Sequence, residues 1–220
     1  TAGKDSLIRE VFKNFNARGV EVHSFKTPTS KEYQHDYLWR HYIALPEKGK
    51  FGVFNRTHYE NVLVSRVHPE YVLSEKLPNI NSVDDLDEEF WIKRYNEINN
   101  FEKHLTDNGV IIFKFFLNID KEEQKNRLLR RLDEEKHNWK FSPGDLSERN
   151  RWNDYMKYYE LAISKTSTDY APWYIIPSNI KEVSRYIVSE ILLNVMDKYE
   201  DIKYPELDNE IQNNIGKYKK

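Results

Sequence analysis

The 220 residues contain no cysteine. This excludes structural disulfides, thiolate metal sites and a cysteine nucleophile, and it fits a reducing compartment, with the cytoplasm as the expectation. No apolar run reaches the roughly 20 residues that cross a bilayer, and the start lacks the basic-then-apolar pattern of a secretory signal. A soluble protein with no membrane partner is therefore expected. Charge of one sign is also missing: 34 Lys and Arg against 36 Asp and Glu give a formal net charge of −2. That balance does not suit a polycation that coats nucleic acid, so any anionic ligand needs a local basic site. The seven histidines show no metal-ligand spacing, which argues against zinc or iron. Internal repeats and low-complexity blocks are absent too.

The chain does have enough length for one substantial core and a heavy aromatic load, 14% of residues, which reads first as core filling. Leu7, Ile8, Val11, Phe12 and Phe15 recur at helical spacing after Lys4, and NARG at 16–19 ends the run. VEVHSF (20–25) alternates as a strand, KTPTS is a loop, and KEYQHDYLWRHYIA (31–44) predicts a helix stopped by Pro46 and Gly49. KFGVFN (50–55) is a second strand. THYENVLVSRV (57–67) is a helix broken at His68-Pro69.

Ser82 and Asp85 form a capping-box pattern ahead of a long helix that ends at Asn108-Gly109. VIIFKFFLNI (110–119) reads as a central strand covered on both faces. A charge-dense helical excursion follows, interrupted at Pro143-Gly144. Then come a helix near 146–164, the strand WYIIP (173–177), and a helix with Val183, Ile187, Ile191 and Val195 on one face. Strands alternating with helices predict an α/β fold: a parallel sheet between two helical layers, with ligands beyond the carboxyl ends of the strands. The expected organisation is a single domain over 1–220, with a lid at about 121–150 and a C-terminal helix plus polar tail at about 180–220.

Gly3 and Lys4 stand directly before the first helix, which is how a phosphate-binding loop ends: glycine admits the anion to backbone amides, lysine reaches the outer phosphates, and the helix N-terminus adds its positive end. Such a pair is also common by chance. In the usual loop Ser or Thr follows the lysine to hold magnesium. Here Asp5 stands there, with Ser6 one later. Asn55 and Arg56 close the second strand, where an arginine can grip phosphate, and Glu60 lies one helical turn on. The plainer reading is a strand-end turn with surface charges. Arg127 and Arg131 share one face of the excursion, with Arg130 beside them. They suit either a lid that closes over a polyanion or a solvated helix balanced by its acidic residues.

Taken in order, TAGKDS, SFKTPTSKEYQHDYLWRHYIALPEKGKFGVFNRTHYENVLVSRVHPE and RLLRRLDEEKHNWKFSPGDLSERNRWNDYMKYYELAISKTSTDYAPWYIIP make the chain resemble the polyphosphate kinase 2 family almost end to end. FNRTHYENVLVSRV, with asparagine before the arginine, resembles the branch acting on both nucleoside mono- and diphosphates. The resemblance implies a three-layer P-loop kinase fold with a helical lid. It also implies reversible, magnesium-dependent phosphoryl transfer from inorganic polyphosphate to AMP, ADP or other nucleotides, manganese being a possible substitute. Homodimers or homotetramers are implied as well.

By the same resemblance Lys4 matches the phosphate-loop lysine, flanked by Gly3, Asp5 and Ser6. Asn55 and Arg56 match the second nucleotide-binding motif. Arg127 matches the lid arginine, with Arg130 and Arg131 nearby, while Lys26 and Arg40 match basic residues along the nucleotide and phosphate paths. Two departures stand out. The family's loop glycine and its metal-assisting aspartate would precede Thr1. Many relatives also carry aspartate where Asn55 stands, and an amide does not bring the same charge to magnesium. Asn55 or Glu60 is the metal ligand available within the chain. Two other readings remain: a nucleoside monophosphate kinase that uses ATP as donor, and a catalytically silent nucleotide- or polyphosphate-binding module.

Overall fold

A computed structural model describes residues 2–139, 142–199 and 207–219. The first helix, α1 (Lys4–Phe12), buries Leu7 and Val11, one turn apart on the same face. Strand β1 (Val20–Ser24) then pairs in parallel with β2 (Phe51–Asn55), in a register that sets Val20 against Phe51 and Ser24 against Asn55. Between them the helix predicted over 31–44 resolves into a 3₁₀ turn at Glu32–Gln34 and a one-turn helix, α2 (Trp39–Tyr42). The physical reason lies at Asp36, whose carboxylate accepts from the Leu38 amide at 2.9 Å, a local turn that competes with helix formation.

After β2 come α3 (Glu60–Val67), α4 (Glu70–Leu73) and the 20-residue α5 (Glu88–Asp107). The Ser82–Asp85 capping box is formed, but it caps a 3₁₀ turn at Val83–Asp85, and α5 starts later with Asp87 accepting from the Phe90 amide at 2.8 Å. Strand β3 (Lys114–Asn118) takes only the second half of the predicted apolar run and pairs in parallel with β4 (Trp173–Pro177). The excursion between them forms α6 (Lys121–Asp133), α7 (Glu135–Asn138) and α8 (Gly144–Asn150). The single helix predicted near 146–164 breaks at Arg151 and restarts as α9 (Trp152–Thr166). Helix α10 (Lys181–Met196) follows β4. The expected polar tail contains α11 (Asn209–Tyr218), and 201–206 lie outside the described residues.

The described strands form two two-stranded parallel sheets, β1-β2 and β3-β4, the helix-connected parallel pairs of an α/β fold. Helix α1 bridges them: Leu7 and Val11 pack with Ile176 of β4 and with Val188 and Leu192 of α10, while Phe12 and Phe15 lie 6.1 and 5.2 Å from Phe51 of β2. A second core unites Tyr59, Val62 and Leu63 with Tyr95 and Ile98 of α5 and Ala162 of α9. The buried stripe of α5 also contains Arg94 and Glu102, each answered by an opposite charge. Arg94 meets Glu75 at 2.5 Å and stacks 4.2 Å over Tyr37, and Glu102 meets Lys114 at 2.6 Å. Among the described residues no helix is long and apolar enough to cross a membrane.

Ile98 is fully buried at the centre of the second core. Ile98→Ala removes its methylenes and leaves a cavity, so a loss of about 2–5 kcal/mol is expected in denaturant unfolding, with an unchanged slope.

Candidate functional site

Gly3 caps α1 with φ 95° and ψ 16°, in the left-handed region where glycine meets no steric penalty. The backbone angle favours glycine here, and a Cβ would also crowd the Arg127 guanidinium at 3.2 Å, which would have to give by a few tenths of an ångström. The turn delivers Lys4 to the helix N-terminus with its side chain exposed and Nζ 3.1 Å from the Asp5 carboxylate. The same carboxylate oxygen accepts from Asn55 Nδ2 at 2.9 Å, which ties the end of β2 to the first turn of α1. Ser6 Oγ donates to the Gly3 carbonyl at 2.9 Å.

Directly after Asn55 the chain turns sharply, with Arg56 at φ 65°. Holding a non-glycine residue there costs about 1–3 kcal/mol, the kind of strain that collects at functional turns. Arg56 reaches Glu60 at 3.6 Å. Burial pushes the half-buried Glu60 carboxyl above the usual range, against the opposing pull of Arg56, Arg40 and Lys4. Cations from three separate segments therefore act on one carboxylate just beyond the carboxyl end of β2, with Arg56 alone of the three in an ion pair with it among the described residues. Arg40 is fixed there by donating to the Lys26 carbonyl at 2.8 Å, by Glu32 at 3.7 Å, and by lying 5.1 Å over the Phe25 ring. Lys26 thus contributes its backbone to this arrangement.

The excursion arginines occupy other places. Arg127 is buried, and its guanidinium is spent on Glu123 at 2.6 Å and on the carbonyls of Ala2, Ser178 and Asn179 at 2.6, 2.5 and 3.0 Å. It positions the turn before α1 against the loop after β4. Arg131 joins α6 to α8 through Asp145 at 2.8 Å. Arg130 is exposed, 3.7 Å from Glu134. Together with Arg127 and Arg185 it bears on Lys181, whose ammonium is pulled down by burial first and by these cations second. The excursion is latched to the body where Glu148 accepts from His68 at 2.9 Å and from the Tyr155 hydroxyl at 2.5 Å.

Sequence reasoning missed Lys181, Tyr155 and Tyr159. Burial pushes the Tyr159 hydroxyl up to about 12, with Glu60 adding to the effect. Tyr155 is raised likewise, by burial and by Glu148. Spaced one turn apart on α9, the two tyrosines carry the same signal as core aromatics, and Lys181 is a lone cation at a helix start.

The donor set fits a divalent cation held mainly through a ligand's phosphates. Among the described residues no three His, Cys, Asp or Glu side chains form a protein-only metal cage. Asn55 Oδ1, however, is buried with no hydrogen-bond partner there, and it sits beside the Asp5 carboxylate that its own Nδ2 contacts. One neutral oxygen and one carboxylate suit a hard cation that keeps several water or phosphate ligands.

The sequence profile of the family described as Polyphosphate kinase 2 matches residues 1–204. A protein of Rhodopseudomonas palustris named ADP-polyphosphate phosphotransferase is 48% identical over 205 residues, covering 93% of this chain and 70% of its own length. One of Meiothermus ruber named AMP/ADP-polyphosphate phosphotransferase is 44% identical over 204 residues, with the same coverage of 93% and 70%. The crystal structure of polyphosphate kinase 2 from Arthrobacter aurescens superposes with a TM-score of 0.86 at 38% identity, covering 99% of this chain and 72% of that one.

The raised carboxyl of Glu60 gives a signed pH prediction. Below the ordinary carboxylate value Glu60 is protonated in both folded and unfolded states and carries no penalty. Above it the unfolded state ionises more readily, so the folded state loses stability until the raised folded value is passed. Glu60→Gln is therefore expected to melt with the parent protein near pH 4 and at a higher temperature near pH 8, in thermal scans without ligand.

Proposed function

The chain belongs to the polyphosphate kinase 2 family, and from that premise we propose that it moves the terminal phosphoryl group of inorganic polyphosphate onto AMP, ADP or a related nucleotide, reversibly and with magnesium. The observation that carries this reading at the level of residues is the tie between the Gly3–Lys4 start of α1 and the end of β2 through Asp5 and Asn55, beside Arg56 in contact with Glu60 at the start of α3. Such a site suits a dense polyanion: the cations neutralise phosphate charge, and the helix end and Gly3 turn admit oxygens to backbone amides.

In this reading the nucleotide's terminal phosphate lies against Arg56 and Arg40, with Lys4 reaching toward the transferring group. Polyphosphate approaches along the Arg130–Lys181 side, under the excursion that acts as a lid. A phosphate oxygen of the nucleotide forms a bond to the terminal phosphorus of polyphosphate. The bridging P–O bond to the rest of the chain breaks, and the shortened polyphosphate leaves with that oxygen. No covalent enzyme intermediate is required, because such a transfer needs alignment and charge neutralisation more than protein chemistry. Asn55 Oδ1 and Asp5 would hold magnesium, which would supply neutralisation of phosphate charge. Arg127 keeps the Gly3 turn and the loop after β4 in register.

Lys4 is exposed and among the described residues pairs with its neighbour Asp5, so Lys4→Ala leaves the core untouched. The variant is expected to melt as the parent does and to lose transfer by about a hundredfold or more, measured as nucleotide product formed from polyphosphate. Near-parental turnover would remove Lys4 from the reaction.

A further inference from the structure

Beneath the converging cations lies a buried polar network that the transfer chemistry does not use. Glu102 of α5 is 1% exposed. Its carboxylate accepts from Lys114 Nζ at 2.6 Å and from the Tyr59 hydroxyl at 2.7 Å, and it lies 3.3 Å from His58 Nε2. Lys114, also buried, further donates to the Tyr59 oxygen at 3.0 Å and to the Thr166 carbonyl at 2.7 Å, so each of its three N–H groups has a partner. Burial alone would raise the Glu102 carboxyl, but the His58 hydrogen bond and the Lys114 charge outweigh it and hold the group below the usual range. The carboxylate thus stays ionised at neutral pH as the common acceptor of the network.

A buried ion pair is poor evidence for stability, since apolar residues of similar volume often serve as well or better. The elements this pair touches suggest another use. His58 and Tyr59 follow Arg56 in the strained turn, and Tyr59 immediately precedes Glu60, the first residue of α3. The His58 ring also meets His41 edge-on at 5.5 Å. His41 follows Arg40 in α2, is fully buried, and packs 4.2 Å from the same Phe25 ring that the Arg40 guanidinium covers. Neither ring nitrogen of His41 has a hydrogen-bond partner among the described residues, so its place there rests on packing.

We propose that the Glu102–Lys114 pair is a positioning device for the two arginines of the nucleotide side. By holding His58 and Tyr59 it fixes the turn that carries Arg56 and Glu60, and through the His58–His41 contact it seats the helix that carries Arg40. The arginines are then set before a nucleotide arrives, and the ordering does not have to be drawn from binding energy. Among the described residues, Arg130 and Lys181 make no hydrogen bond or ion pair with Glu102, Lys114, His58 or Tyr59. The proposal therefore predicts an effect on the nucleotide and none on polyphosphate, and it rests on the proposed function for which substrate each side takes.

The test is the double variant Glu102→Met/Lys114→Met, which keeps chain length and apolar volume, alongside Tyr59→Phe, which keeps the ion pair and the His58 contact and removes the shorter of the two tethers to the turn. Both are measured for unfolding, for kcat and KM toward AMP and toward polyphosphate, and for AMP affinity by calorimetry. In folded variants kcat/KM for AMP is expected to fall about tenfold or more and AMP affinity to weaken in parallel, with the KM for polyphosphate unchanged. Parental constants for AMP in a folded variant overturn the proposal, as does an equal loss toward both substrates. Should the double variant fail to fold, Tyr59→Phe decides by the same criteria. If the parent protein binds AMP yet transfers nothing from polyphosphate, the proposed function fails while the affinity comparison still judges the positioning role.

Discussion

Three positive charges, Lys4, Arg40 and Arg56, all act on the half-buried Glu60 carboxylate, each held by an acidic partner of its own, and the local structure serves to keep them there. Like charges in proximity repel, so a set of cations of this kind needs acidic partners that orient it. Asp5, Glu32 and Glu60 do this at 3.1, 3.7 and 3.6 Å, distances and exposures at which an ion pair orients a side chain more than it stabilises the fold. In the proposed reaction a bound polyanion would take over the neutralisation these carboxylates provide. Two of the positive-φ residues, Gly3 and Arg56, lie just before α1 and α3, and the Asp5–Asn55 hydrogen bond ties the first of these turns to the end of β2.

The arginines divide into two kinds that composition alone cannot separate. Arg94 and Arg127 are buried and fully engaged, one by a carboxylate and two aromatic rings, the other by a carboxylate and three backbone carbonyls. They hold segments together. Arg56 and Arg130 are exposed and sit 3.6 and 3.7 Å from a single acidic neighbour, so a phosphate can take them over. Helix α1 couples the two kinds: its apolar face packs on β4 and α10, its start is pinned by Arg127, and its first turn presents Lys4.

Much of the fold was legible because periodicity reports burial. Strands β1, β2 and β4 and helices α1, α5 and α10 stand close to where the alternating or helical patterns put them. The failures have local causes. The 31–44 segment has helical aromatic spacing, but the Asp36 side chain closes a turn on the Leu38 amide and splits it. Lys114 sits within an apolar strand, where nothing in the pattern announces that its ammonium has three partners drawn from three other elements. At the site, GKD and NRT are weak separately and gain meaning from the Asp5–Asn55 contact across 50 positions of sequence. The destination of Arg127 was illegible for the same reason, since its carbonyl partners lie far away in the chain and carry no side-chain signature.

The central claim is that this cluster takes phosphate from polyphosphate and gives it to a nucleotide. The most direct measurement follows phosphorus resonances in a mixture of the protein, AMP, long-chain polyphosphate and magnesium, with ATP left out. The account predicts that ADP and then ATP signals grow as the signal of internal polyphosphate phosphorus falls in step, the number of chain ends staying constant. Unchanged AMP in that mixture, with ADP appearing only once ATP is supplied, would contradict it and make ATP the donor.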